Sequence, residues 1–180
     1  MLQGFQFQLA IILFFITLNA YSQHRNAREA KPVFTEVSNK AVVQSVYPEA
    51  TKVEKINDFW YRIVDDKNKL YGYAMNSTPY SSNIPGYNGP TPVMIITDKK
   101  LIIKKVAMLS HYETPGYIRR MNQMGFFNSW DEVKLQDATK VVPDGWTGAT
   151  LTAEAVKKNV DYMLENGLKN RPDKKSSSRR

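Results

Sequence analysis

A threonine hydroxyl is a weak nucleophile, yet it can carry a phosphate ester when the chain around it lets a donor approach. In this 180-residue chain the run Asp144-Gly145-Trp146-Thr147-Gly148-Ala149-Thr150 has that character. Gly148 and Ala149 have almost no side chain, so a bulky phosphoryl donor could reach the backbone beside Thr150. A helical pattern follows directly, with Thr152 as its expected N-cap. Free N–H groups and the positive end of the helix dipole favour an anion there. The same string could also be an ordinary start to a helix, where Thr and Gly are common. At average residue frequencies Asp-x-x-[Ser/Thr]-Gly-Ala-Thr arises in on the order of one in several thousand chains of this length.

Two upstream segments accompany it. Gly86-Tyr87-Asn88-Gly89-Pro90 sits before a strand-like run, and His111-Tyr112-Glu113-Thr114-Pro115-Gly116 follows another. Taken alone, the second is a strand-ending turn closed by Pro and Gly. Ser110 beside His111 makes no catalytic dyad, because neighbouring strand residues point to opposite faces.

Together the three segments resemble the FMN-binding domain family, over residues 35–166. That family includes the peripheral flavin subunits of the Rnf complex and of the sodium-translocating NADH:quinone oxidoreductase. The resemblance implies FMN bound covalently through its phosphate to Thr150, donated from FAD by a Mg-dependent flavin transferase. It implies cofactor-binding roles for Thr147, Gly148, Ala149 and Gly89, and a recognition or metal-holding role for Asp144 during transfer. Glu113 and Thr114 would hydrogen-bond the flavin or its ribityl chain, with His111 holding the loop. Tyr87 and Trp146 could stack on the flavin, since aromatic faces suit it, and plain packing is the other reading of both. No catalytic residue and no resident metal are expected.

The elements that must position these residues read as follows. Apolar residues from Phe34 to Tyr47 recur at helical spacing, and Pro48 marks a stop. Strands are expected at Lys52–Ile56, Phe59–Val64 and Leu70–Met75, with Tyr71 and Tyr73 sharing one face of the third. Residues 76–92 form a loop longer than most connections, of a size that is usually functional or disordered. Val93–Thr97 and Leu101–Ser110 read as a hairpin turning at Asp98-Lys99-Lys100, with Lys104 and Lys105 implying a solvated face. Short helical pieces run to Trp130. A final helix is predicted over Ala153–Asn166, closed by Gly167. This order predicts a single α+β domain with a mostly antiparallel sheet.

Composition narrows the chemistry further. There are no cysteines, which removes disulfides, thiolate sites and cysteine nucleophiles, and two histidines are too few for a multi-histidine metal site. Of the net charge of +8, five charges fall in Lys169–Arg180, a Ser/Lys/Arg-rich end that reads as a solvated tail rather than a nucleic-acid face. Leu9–Leu18 is an uncharged apolar run followed by Ala20-Tyr21-Ser22, which suits signal peptidase. Ten helical residues reach about 15 Å, half a bilayer core, so cleavage is expected and a retained anchor is the alternative.

The expected organisation is a signal peptide at 1–22, a linker at 23–33, an FMN-binding domain at 34–168 and a basic tail at 169–180. The short leader and the extra tail point to a stand-alone periplasmic or cell-surface electron carrier rather than an Rnf- or Nqr-type subunit. Its partners would be the flavin transferase and redox proteins, membrane-bound ones among them. Two alternatives remain open. One is a flavin-dependent reductase acting directly on a substrate. The other is a cofactor-free envelope binding module on the same fold.

Overall fold

The computed structural model describes residues 32–143 and 150–172. The apolar run at Leu9–Leu18 and the segment 144–149 lie outside these residues, as does the basic end beyond Pro172.

Branched and aromatic residues between turn signals form five strands: β1 (Lys52–Lys55), β2 (Trp60–Val64), β3 (Leu70–Asn76), β4 (Val93–Asp98) and β5 (Ile103–Met108). They pair in chain order, each antiparallel to the next, as one meandering sheet. Tight turns explain the order. Asn57 Oδ1 accepts from the backbone of Phe59 and Trp60, and Asp98 Oδ1 accepts from Lys100 and Ile102. Leu101 completes the second turn at a φ of 61°.

Both faces of the sheet are covered. On one face, the helix α1 (Asn39–Gln44) places Val42 and Val43 over Ile63, Ala74, Met94 and Ile96. On the other lie the helix α2 (Pro115–Gln123), a 3-10 turn at Phe126–Trp130 and the long helix α3 (Thr150–Lys169). Ala153, Val156, Val160, Met163 and Leu164 of α3 are fully buried against Trp60, Met75, Ile95 and Ile103. Neighbouring residues of β4 therefore serve different cores, Ile95 one and Ile96 the other, as the two-residue period of a strand requires.

The α+β class, the strands and the final helix agree with the sequence, and four local expectations change. The first helix is limited to Asn39–Gln44 because the preceding chain is held extended: Thr35 exchanges backbone bonds of 2.8 and 3.1 Å with His111. Tyr71 and Tyr73 do not share a face. Pairing passes from Ile63–Gly72 to Val64–Leu70, leaving Tyr71 as a bulge that turns towards Tyr47, while Tyr73 packs on Trp60. Lys104 and Lys105 do not mark an open face. Both are half-buried, Lys104 bonded to Glu132 and Lys105 to Ser45 Oγ.

The last helix starts at Thr150 and runs to Lys169, so Thr152 lies inside its first turn and Gly167 inside its last. Gly167 does not cap. A Cβ there would meet Met75 Sδ and come within 3.3 Å of Trp60, whose indole N–H donates to the Gly167 carbonyl at 2.9 Å. That indole satisfies a terminal carbonyl with no partner within the helix.

Candidate flavin site

The β4–β5 pairing decides where the motifs meet. Val93 opposes Met108, and the Leu109 amide donates to the Pro92 carbonyl, so the chain entering β4 lies beside the chain leaving β5. Gly86–Pro90 and His111–Thr114 are thereby neighbours, although more than twenty residues separate them. The first turn of α3 meets the second of them through Thr152.

Glu113 stands at the junction, with no solvent exposure. Its Oε1 accepts from the Asn88 amide at 2.8 Å, and its Oε2 accepts from the Thr152 hydroxyl at 2.6 Å. One oxygen is engaged from the Gly86–Pro90 segment and the other from the first turn of α3. Gly86 makes room for this arrangement, since a Cβ there would lie 2.6 Å from Glu113 Oε1 and 2.7 Å from Thr91 Cγ2. The turn over Gly86 is closed by its own amide donating to the Gly89 carbonyl at 2.7 Å, and Gly89 adopts a φ of 135°, open to glycine.

His111 is buried at the end of the β5 segment, and its Nδ1 accepts from the Glu113 amide at 3.0 Å. Burial pushes its imidazole below the ordinary value of 6.5, against an opposing pull from the nearby Glu113 carboxylate. The neutral ring therefore carries its proton on Nε2. Thr114 precedes α2 in extended conformation, and its hydroxyl accepts from the Asn88 side chain at 3.4 Å. Tyr87 is 58% exposed and Tyr112 is 50% exposed, the latter in contact with Phe34.

A second tie lies two helical turns along α3. The buried Asn159 side-chain nitrogen donates to Thr91 Oγ1 at 3.1 Å and to the Ile84 and Ala155 carbonyls at 3.2 and 3.0 Å. The loop over residues 84–91 is thus fastened to α3 at two points.

His111, Glu113, Thr114, Tyr87 and Gly89, all expected at the site, come together with the start of α3, where Thr150 is the first residue. Asp144, Trp146, Thr147, Gly148 and Ala149 fall outside the described residues. Sequence reasoning missed Asn88, Thr91 and Asn159, and gave Thr152 a capping role instead of its bond to Glu113. Asn88 was within reach, lying inside a quoted motif. Asn159 was not, because a lone Asn in a helical pattern carries no signal of its partners.

The residues present suit a phosphorylated flavin. The first turn of α3 contains no acidic residue that would oppose a phosphate. Exposed aromatic faces flank the buried carboxylate through Tyr87 and Tyr112. A family model, the FMN-binding domain, matches residues 86–165. The match opens on Gly86 and takes in all three motif segments. No curated protein matches the chain. Residues 86–165 are thus similar to an FMN-binding domain, and that match supports FMN as the cofactor.

Proposed function

We propose that the protein holds FMN as a phosphoester on Thr150 and works outside the cytoplasm in electron transfer. The observation that carries this reading is the convergence of Gly86–Pro90 and His111–Thr114 on the helix turn that begins at Thr150. The family match over the same residues supports it.

In this reading Thr150 Oγ takes the FMN phosphoryl group of FAD. The pyrophosphate P–O bond to the AMP half breaks, AMP leaves, and the hydroxyl proton passes to a base of the transferase. Nothing is oxidised or reduced in that step. The small Gly148 and Ala149 admit the donor, and the helix start favours the ester's negative charge. Tyr87 and Tyr112 offer faces to the isoalloxazine, which supplies the redox chemistry when bound.

Attachment by phosphate leaves the ring unmodified and prevents loss by dilution, which suits a carrier beyond the membrane. The apolar run at Leu9–Leu18 supports that location. The test is the intact mass of the mature chain after co-expression with a flavin transferase. The expected increment is one FMN less one water, absent in Thr150→Ala. An unchanged wild-type mass would refute the covalent link. Flavin that survives in Thr150→Ala would indicate a non-covalent site.

A further inference from the structure

We propose that Glu113 is a positioning residue for flavin attachment, acting through Thr152 to hold the acceptor turn against the Gly86–Gly89 loop. The proposal rests on Thr150 being the acceptor and adds how that residue is made ready.

A fully buried carboxylate is costly unless its oxygens are bonded, and among the described residues no basic side chain forms an ion pair with Glu113. It is held instead by one backbone amide and one hydroxyl, from the two segments that flank the flavin site. Apolar packing of α3 fixes where the helix lies, because Ala153, Val156, Val160, Met163 and Leu164 are all buried. That packing is non-directional and sets the rotation of the first turn only loosely.

The 2.6 Å bond from Thr152, two residues beyond Thr150, is directional and supplies the missing constraint. Asn159 repeats the device further along the same helix by tying Thr91 and Ile84, so the loop cannot drift from α3. Gly86 is the condition for both, since any side chain there would displace the carboxylate or Thr91. Glu113 has both oxygens committed to the protein, which makes it a brace under the site rather than a contact to the ring.

The test compares flavin attachment rates, read by intact mass under limiting transferase with FAD and Mg²⁺, at a temperature below every variant's unfolding midpoint. Thr152→Val and Glu113→Ala should slow attachment by about 10-fold or more, as misplacement of a reacting group does. Thr152→Ser keeps the hydroxyl and should attach at close to the wild-type rate. Ile96→Ala, a core truncation on the opposite face of the sheet, should lose stability yet attach at the wild-type rate.

Wild-type rates in Thr152→Val, or an equal slowing in Ile96→Ala, would overturn the proposal. Hydrogen exchange on the flavin-free chain gives an independent reading. The Asn88 amide should be protected in the wild type and exchange freely in Glu113→Ala, and equal exchange in both would overturn the clasp. A wild type that acquires no flavin would sink the acceptor reading alone, leaving the Asn88 amide to report on the clasp.

Discussion

His111 shows how one buried side chain ties separate segments together around the candidate site. Its ring accepts from the Glu113 amide while its own backbone groups pair with Thr35, so it joins the N-terminal segment to the clasp. Burial lowers its pKa below 6.5, favouring the neutral ring in the folded state. Above about pH 6.5 both folded and unfolded rings are neutral, and no penalty arises. As pH falls below that value the unfolded chain takes up a proton first, so the folded state loses stability until its own, lower pKa is passed. The thermal midpoint should therefore fall between about pH 7.5 and pH 5.5. His111→Asn, which keeps an acceptor for the Glu113 amide, should flatten that fall. An equal drop in the variant would place the titration elsewhere.

At the scale of elements, α3 is held at its two ends by different chemistry. At its start the hydroxyl of Thr152 meets a buried carboxylate. Near its end the Trp60 indole reaches the Gly167 carbonyl across a contact that only glycine permits. Trp60→Phe removes that donor and leaves a gap in the core. It should cost about 2 kcal/mol, combining a lost buried hydrogen bond with lost packing. Urea unfolding measures it directly. A change below about 0.5 kcal/mol would mean that water replaces the indole at the carbonyl. The helix boundary itself escaped sequence reasoning for this reason. Gly167 reads as a stop when only local propensity is considered, yet here the close approach of Trp60 and Met75 requires it inside the helix.

Across the whole molecule the same five strands supply both cores, so the cores should not unfold separately. Ile95 and Ile96 are adjacent in β4, fully buried, and face opposite sides. Truncating either to Ala should cost about 2–5 kcal/mol. Both variants should shift one cooperative transition, in which tryptophan emission and far-UV circular dichroism coincide. Two separated transitions in either variant would show that the faces are independent.

The residues that could carry flavin chemistry were legible without coordinates, as were the strands and the last helix. Residue types, motif spacing and two-residue or helical periodicity are local properties of a chain. Thr150 stood out by its motif, and the resemblance to the FMN-binding domain family added Glu113, His111 and the Gly86–Pro90 turn. Their joining was not legible. Asn88 meeting Glu113 and Thr152 meeting Glu113 span 25 and 39 residues, and such bonds depend on the β4–β5 register and on how α3 crosses the sheet. Register and helix docking are settled by the fit of buried side chains from distant segments. For that reason only the tertiary structure could show that Glu113 bonds both the Asn88 amide and the Thr152 hydroxyl.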